Sequence, residues 1–246
     1  MTTDTTALLS RLRDHDRDVR ARAAIELGKE ADRSALESLL EALSAERDPF
    51  VRENVTWAVA RLGDAALPHL VARLDDPRPQ IRHDAAHALG KIALPAAVDP
   101  LIALLLDPEV TVVAKAAYAL GQIGDPRAVP ALVALVGSES RVLESTLVAV
   151  LGGFGREAFA PLVAALGSGD ARTREHAADL LRTLGDDRAL PALAPLLRDA
   201  SWRVRFAAVN AIGELGGAIA LLAGVTNDPD ARVRALVRTM ATRVAA

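Results

Sequence analysis

The stretch Ile81-Arg82-His83-Asp84-Ala85-Ala86-His87-Ala88-Leu89-Gly90 is the clearest copy of a pattern that recurs along this chain of 246 residues. The position that Arg82 holds recurs at steps of 29 to 32 residues, at Arg20, Arg52, Arg82, Val113, Leu143, Arg174, Arg205 and Arg234. A fixed period of this length is typical of proteins built from stacked structural repeats. We therefore predict a repeat protein, and we call these eight positions the register.

Each copy of the pattern reads as an amphipathic helix. In the quoted copy Ile81, Ala85 and Leu89 are apolar, and apolar residues at this spacing mark the buried face of a helix. A turn follows, and a second, leucine-rich helix then begins near a proline such as Pro130, because the first turn of a helix tolerates proline. The pattern predicts an all-α fold of about sixteen helices: a starter helix near Thr6–Arg13, seven helix pairs, and a final register helix from about Ala231.

In two copies an Asp-Pro pair precedes the register arginine, at Asp76-Pro77 and at Asp228-Pro229. In each, the aspartate lies five residues before the apolar residue that directly precedes the arginine. This pattern resembles the HEAT-like repeat first described in phycobilin lyase subunits, and the resemblance covers nearly the whole chain. It implies a right-handed α-solenoid of about eight HEAT-like repeats. We expect one repeat domain over residues 1–246, with a starter helix in 1–15 and a capping helix in 231–246.

In repeats of this family the register arginine bonds aspartates of neighbouring loops and forms a ladder. Val113 and Leu143 replace the arginine in the middle of this chain, so the ladder should be interrupted there. The replacement is read as a simple apolar substitution, with a softened hinge as the alternative.

Composition excludes several classes of function. The formal net charge of −3 gives no general electrostatic attraction to nucleic acid or to an anionic membrane. The absence of cysteine excludes disulfides, thiolate catalysis and cysteine-based zinc sites. The first twenty residues lack the apolar core of a secretory signal, and prolines and an aspartate interrupt the apolar stretch 92–106. We therefore expect a soluble, cytoplasmic protein that does not enter a membrane.

Four positions of each copy vary in a way that the scaffold does not require. They lie two residues before the register and one, two and five residues after it, so they form one stripe on each helix, opposite the apolar face. We call this stripe the variable flank. The chain has only seven aromatic residues, and four of them lie on this flank: Phe50, Trp57, Tyr118 and Phe206. Exposed aromatic side chains are typical anchors of interfaces, although a single ring can instead fill a gap between repeats.

The variable flank predicts a non-catalytic scaffold that binds a protein or peptide along a concave face. Its charges are mixed, whereas a nucleic-acid groove would be rich in lysine and arginine. A row of arginines at one flank position leaves open an acidic or phosphorylated partner. The predicted partner-binding residues are Phe50, Glu53, Asn54, Trp57, His83, Asp84, His87, Lys115, Tyr118, Arg141, Glu144, Glu175, His176, Asp179, Arg203 and Phe206.

The same residues also allow two further hypotheses, metal binding and catalysis. His83 and His87 share a helix face and could bind a metal together with Glu53. The stretch Arg82–Ala86 also resembles the Arg-His-Glu-Ala-Ala segments of deoxyhypusine hydroxylase, whose paired His-Glu motifs ligate iron, but this sequence contains no His-Glu pair. We therefore expect no metal, cofactor or catalytic residue. The alternative is a lyase-like or metal-assisted enzyme that acts on a small or peptide-borne ligand in the same groove.

Overall fold

The computed structural model describes residues 5–216 and 219–244, so the predicted domain limits at residues 1 and 246 lie outside the described residues. The chain divides into two compact units, residues 1–125 and 126–246. A single domain over the whole chain stays a prediction. Every regular element among the described residues is helical.

Unit 1 contains the starter helix, four register helices and three second helices. Short 3-10 turns accompany all three second helices. The α-helices are α1 (Thr5–Arg11), α2 (Arg17–Glu30), α3 (Leu36–Ala45), α4 (Pro49–Arg61), α5 (Leu67–Ala72), α6 (Pro79–Ile92), α7 (Val98–Leu104) and α8 (Val110–Ile123).

Unit 2 begins with a second helix and then alternates register helices with second helices. Its elements are α9 (Val129–Val133), α10 (Arg141–Phe154), α11 (Arg156–Ala165), α12 (Ala171–Leu184), α13 (Leu190–Leu193), α14 (Trp202–Glu214), α15 (Ile219–Leu222) and α16 (Ala231–Val244). The described residues thus hold sixteen α-helices. The all-α repeat fold and the predicted helix count are confirmed.

Local signals in the sequence determine where the register helices begin and end. Asp16 and Asp48 accept hydrogen bonds from backbone amides in the first turns of α2 and α4. Gly124 follows α8 in the left-handed conformation, with φ of 72°. Alanine takes the same conformation after α2 and α6, at Ala31 (φ 49°) and Ala93 (φ 54°). These two alanines adopt a backbone conformation that glycine adopts more easily.

The apolar face of each register helix packs into the core as the spacing predicted. Ile81, Ala85 and Leu89 on α6 are all buried. The second helices add to the same core: Leu40 on α3 and Leu101 on α7 are completely buried. Within unit 1, α4 packs against α2 and α6, and α6 packs against α8; within unit 2, α12 packs against α10 and α14. Register helices therefore adjoin one another within each unit, which brings their variable flanks together.

Two register arginines of unit 1 pair with carboxylates in the loop before the next register helix. Arg20 donates from Nε and Nη2 to Glu46, at 2.7 and 3.1 Å. Arg82 donates to both oxygens of Asp107, at 2.6 and 2.8 Å, and also to the carbonyl of Asp76. These bidentate contacts join the end of one repeat to the start of the next.

Unit 2 repeats the arrangement with nearly the same geometry. Arg174 donates to the Asp199 carboxylate at 2.8 and 2.9 Å. Arg205 donates to Asp228 at 2.7 and 2.9 Å. The apolar register residues Val113 and Leu143 are buried, so the ladder of guanidinium–carboxylate pairs is interrupted as predicted.

Arg52 departs from the expected ladder. The aspartate in the loop before α6 is Asp76, but Arg78 binds it through two nitrogens, both at 3.0 Å, and lowers the Asp76 pKa to about 2. Arg52 instead donates to the carbonyl of Glu46, and its Nε lies 3.8 Å from Asp84 on α6. The ladder arginine of this repeat is therefore directed toward the variable flank.

Acidification should destabilise the fold through the ladder. Hydrogen bonds from Arg82, Arg174 and Arg205 lower the pKa values of Asp107, Asp199 and Asp228 below the ordinary value of 3.8. A carboxylate whose folded pKa is depressed stabilises the fold above its unfolded pKa, and that stability is lost as the pH falls through the folded pKa. We expect the free energy of unfolding, measured with urea at a series of pH values, to decrease below pH 3.8.

The ladder can be identified as the source of this decrease. In the Arg205→Met variant the pKa of Asp228 loses its main cause of depression. The stability of that variant should therefore depend less steeply on pH in the acidic range. An equally steep dependence would assign the acid sensitivity to other carboxylates.

Candidate partner-binding surface

The variable flanks of α4, α6 and α8 form a connected polar network in unit 1. The Glu53 carboxylate on α4 contacts His87 Nε2 on α6 at 3.0 Å and Lys91 Nζ at 2.8 Å. Lys115 on α8 interacts electrostatically with Glu53 and is half-buried. The structure thus brings Glu53, His87 and Lys115 together, as expected for flanks of adjacent helices.

Asp84 is the buried centre of a second group beside this network, with only 5% of its surface exposed. It accepts a hydrogen bond from Gln80 Nε2 at 2.8 Å, and His83 Nδ1 lies 3.2 Å away. Arg52 Nε lies 3.8 Å from the other carboxylate oxygen. Asp84 therefore holds polar side chains of α4 and α6 in place, and it is not itself available to a partner.

Burial changes the ionisation of the network. It lowers the pKa of His87, although the hydrogen bond to Glu53 opposes the change, so the imidazole is mostly neutral at pH 7. Burial likewise lowers the pKa of Lys115. For Glu53, burial acts to raise the pKa, but the hydrogen bonds from Lys91 and His87 outweigh it and the pKa is lowered. The network therefore carries a carboxylate whose negative charge is compensated locally by lysine.

Three aromatic side chains of the unit 1 flank are exposed. The exposed fractions are 55% for Phe50, 44% for Tyr118 and 36% for Trp57. Lys115 Nζ lies 5.4 Å from the centre of the Tyr118 ring, within range of a cation–π contact. Asn54 donates to the backbone carbonyl of Phe50 at 2.9 Å, so its amide is engaged within α4.

Trp57 has two roles. Its ring lies so close to Gly28 on α2 that a Cβ atom at that residue would be 2.3 Å from Trp57 Cζ3. One part of the ring therefore fills the gap between two repeats, and the rest faces solvent. Trp57 therefore fits both a ring that fills a gap between repeats and a surface anchor. Phe50 and Tyr118 fit the role of a surface anchor better.

The flank of unit 2 forms a separate network beside a cavity of about 220 Å³. His176 Nε2 on α12 lies 3.5 Å from Glu144 on α10. Arg182 donates to Glu214 on α14 at 2.9 Å, and its Nε lies 3.6 Å from Asp179. Burial raises the pKa of Asp179, with the Arg182 charge acting in the opposite direction.

The remaining predicted residues of unit 2 lie on the same flank. Phe206 makes an edge-on contact with Trp202, with ring centres 6.4 Å apart, and it is half-buried. The guanidinium of Arg203 lies 5.5 Å from the centre of the Trp202 ring. Arg141 is exposed at the start of α10, and Glu175 is half-buried on α12. A single face that joins the flanks of both units stays a prediction.

Sequence reasoning missed Lys91 and Arg182. Both lie one helical turn beyond a predicted flank residue, His87 and Asp179 respectively, and both bind carboxylates of the neighbouring register helix. The spacing of three or four residues on a helix could have identified them. The flank therefore extends one turn further along α6 and α12 than the four variable positions indicated.

Metal binding and membrane insertion find no support in the described residues. His83 and His87 contact different carboxylates, Asp84 and Glu53. In the part of the chain that the structure describes, no three His, Cys, Asp or Glu side chains are grouped as metal ligands would be. Among the described helices, none has both the length and the apolar character needed to cross a bilayer.

Comparison with known proteins identifies the repeat. The sequence matches the family model for HEAT repeats over residues 5–86, 67–152 and 159–241. No protein with a curated description matches it.

Solved structures that resemble the chain include human deoxyhypusine hydroxylase in complex with glycerol (24% identity, 97% of this chain and 94% of that chain, TM-score 0.43). They include the complex of CpcE and CpcF of phycocyanin lyase from Nostoc (22% identity, 98% of this chain and 96% of that chain, TM-score 0.47). A third is Kap95p, solved in a study of its binding to RanGDP (16% identity, 85% of this chain and 34% of that chain, TM-score 0.55). At these identities the likeness concerns the fold alone.

Proposed function

The chain belongs to the HEAT-repeat family, and we propose that it is a non-catalytic binding protein that recognises a protein or peptide on the variable flank of unit 1. The exposed rings of Phe50 and Tyr118 carry this proposal. Large aromatic side chains left in water on a structured surface are typical of binding interfaces, where they supply most of the affinity. Trp57 adds a partly exposed ring that packing against α2 holds in one orientation.

The polar part of the flank supports a protein partner over a nucleic acid. The exposed Glu53 carboxylate lies beside Lys91 and interacts electrostatically with Lys115, so negative and positive groups are mixed on this surface. A phosphate backbone would require a surplus of cationic groups instead. Kap95p, which has the same repeat fold, binds the protein RanGDP, and this supports the use of such a scaffold for protein recognition.

We expect the substitution Tyr118→Ala to weaken partner binding about tenfold or more, which corresponds to about 1.4 kcal/mol. Peptides would first be selected from a random display library with the purified protein as bait. Their affinities for the wild type and the variant would then be measured by fluorescence anisotropy. Tyr118 suits this test because its ring is 44% exposed, so its removal leaves the core intact.

The substitution Leu106→Ala is the matched control. Leu106 is an 86% exposed apolar residue of the same unit, in the loop after α7, and it occupies none of the variable positions. Its removal should leave peptide affinity unchanged. If no peptide is enriched above background, or if the selected peptides bind Tyr118→Ala as tightly as the wild type, the proposed surface is wrong.

A further inference from the structure

One position of the unit 2 flank carries an arginine on every register helix. It lies two residues before the register and places Arg141 on α10, Arg172 on α12, Arg203 on α14 and Arg232 on α16. No register helix of unit 1 carries a basic residue at this position. Because α12 packs against α10 and α14, and α14 packs against α16, the four side chains follow one another from helix to helix. We call them the arginine row.

The stability of the fold does not account for the arginine row. Within the described residues, Arg141, Arg172 and Arg203 form no ion pair, whereas the ladder arginines of unit 2 are paired with aspartates. The Nε atom of Arg172 is buried and has no hydrogen-bond acceptor in the described part of the chain. All four arginines lie in the first turn of a helix, where the helix dipole disfavours a cation. The row therefore holds cationic donors that the protein itself leaves unused.

Trp202 restrains one end of the row. The Arg232 guanidinium lies 3.3 Å from the centre of the Trp202 ring, and its Nη2 donates to Asp230 at 2.7 Å. The Arg203 guanidinium approaches the same ring at 5.5 Å. Contact with an aromatic face holds a guanidinium by a cation–π attraction, so less side-chain freedom remains to be lost when a partner binds.

The spacing and charge of the row match an acidic segment. An unpaired guanidinium can bind a carboxylate through two parallel hydrogen bonds. Packed helices lie about 8–10 Å apart, and a polyproline II segment repeats every three residues, or about 9 Å. A carboxylate at every third residue can therefore meet one arginine on each helix. Glu144 and Glu175 lie one helical turn beyond Arg141 and Arg172, so the positive charge is confined to one row, which disfavours the phosphate array of a nucleic acid.

We propose that the arginine row binds an extended acidic segment of a partner protein, with a carboxylate at every third residue. Arg172 and Arg203, which lie on the closely packed helices α12 and α14, bind neighbouring carboxylates. All of these residues lie in unit 2, so the inference is independent of the surface proposed on unit 1, and the failure of either leaves the other intact.

The test is a fluorescence anisotropy titration of the full-length protein at physiological ionic strength. The first probe is a labelled peptide of Glu-Pro-Pro repeats with one glutamate for each arginine of the row, and the second has glutamine in place of glutamate. A third probe is the glutamine peptide with one phosphoserine, and a fourth is an oligothymidylate. We expect saturable binding of the glutamate peptide and binding at least about tenfold weaker for the glutamine peptide.

Two double variants locate the effect. Arg172→Gln/Arg203→Gln should weaken binding of the glutamate peptide about tenfold or more, because it removes two charged donors. Since neither arginine has an ion pair in the described residues, this variant should unfold close to the wild-type temperature. Arg156→Gln/Arg198→Gln is the matched control: it removes the same charge from two exposed arginines of unit 2 outside the row and should change the affinity less than about threefold.

Three results would overturn the proposal. The first is the absence of saturable binding of the glutamate peptide. The second is an equal loss of affinity in the control Arg156→Gln/Arg198→Gln, which would show that the peptide responds to the overall charge of unit 2. The third is tighter binding of the phosphoserine peptide or the oligothymidylate than of the glutamate peptide, which would identify the row as a phosphate site.

Discussion

Replacing Arg205 by methionine should lower the free energy of unfolding by about 3 kcal/mol. Arg205 donates to both oxygens of Asp228, whose side chain is 2% exposed, and to the backbone carbonyls of Asp199 and Ala200. Methionine keeps most of the apolar stem, so the loss concerns the guanidinium. The variant leaves a buried carboxylate with one backbone donor, at Asp230, and an unpaired charge in this position is costly. Urea unfolding at neutral pH measures the change.

Arg188→Met is the matched control for this prediction. Arg188 also binds an aspartate through two nitrogens, but that partner is Asp186, only two residues away, and the arginine side chain is 66% exposed. Solvent-exposed pairs of this kind contribute little to stability, so the control should unfold close to the wild type. The double variant Arg205→Met/Asp228→Asn should recover part of the loss, because the neutral amide removes the buried charge. Equal stability of Arg205→Met and Arg188→Met would show that the ladder is not a main source of stability.

The helices could be predicted from the sequence because their signals are local. An apolar residue before the register, repeated four and eight residues later, predicts the buried face of α6 without knowledge of its neighbours. The family resemblance was enough to predict the ladder pairs Arg82–Asp107 and Arg205–Asp228. In these two repeats no arginine closer in the sequence binds the aspartate first. Arg52 differs because Arg78 binds Asp76 in its place. The repeat pattern does not include position 78, so it could not predict this exchange of partners.

The candidate site was only partly predictable, for a related reason. The variable positions correctly placed Glu53 and His87 on adjoining helices, because neighbouring repeats present the same face. Whether an aromatic side chain covers a gap or faces solvent depends on the neighbouring repeat. Trp57 lies over Gly28, and no periodicity in the sequence describes that contact. The cavity beside Asp179 depends in the same way on the walls that α10 and α12 form together.

Gly90→Ala and Gly152→Ala should change stability in opposite directions, although the chemical change is the same. Gly90 lies where α6 approaches α8: a Cβ atom there would be 2.8 Å from Ala119 Cα and 2.9 Å from Ala119 Cβ. Backbone atoms cannot move aside without separating the two helices, and overpacking of this kind costs about 1–3 kcal/mol. We expect Gly90→Ala to lower the free energy of unfolding by about 2 kcal/mol once the better helix propensity of alanine is included.

At Gly152 on α10 a Cβ atom would meet no atom within 4 Å. Alanine there should raise the free energy of unfolding by about 0.5–1 kcal/mol, because it restricts the unfolded chain and favours the helix. Gly213 provides an intermediate case, since a Cβ atom would lie 2.7 Å from the sulfur of Met240, the end of a flexible side chain that can move. The expected order of stability is Gly152→Ala, wild type, Gly213→Ala and Gly90→Ala. If Gly90→Ala were as stable as Gly152→Ala, the close approach of α6 and α8, and with it the adjacency of their variable flanks, would be wrong.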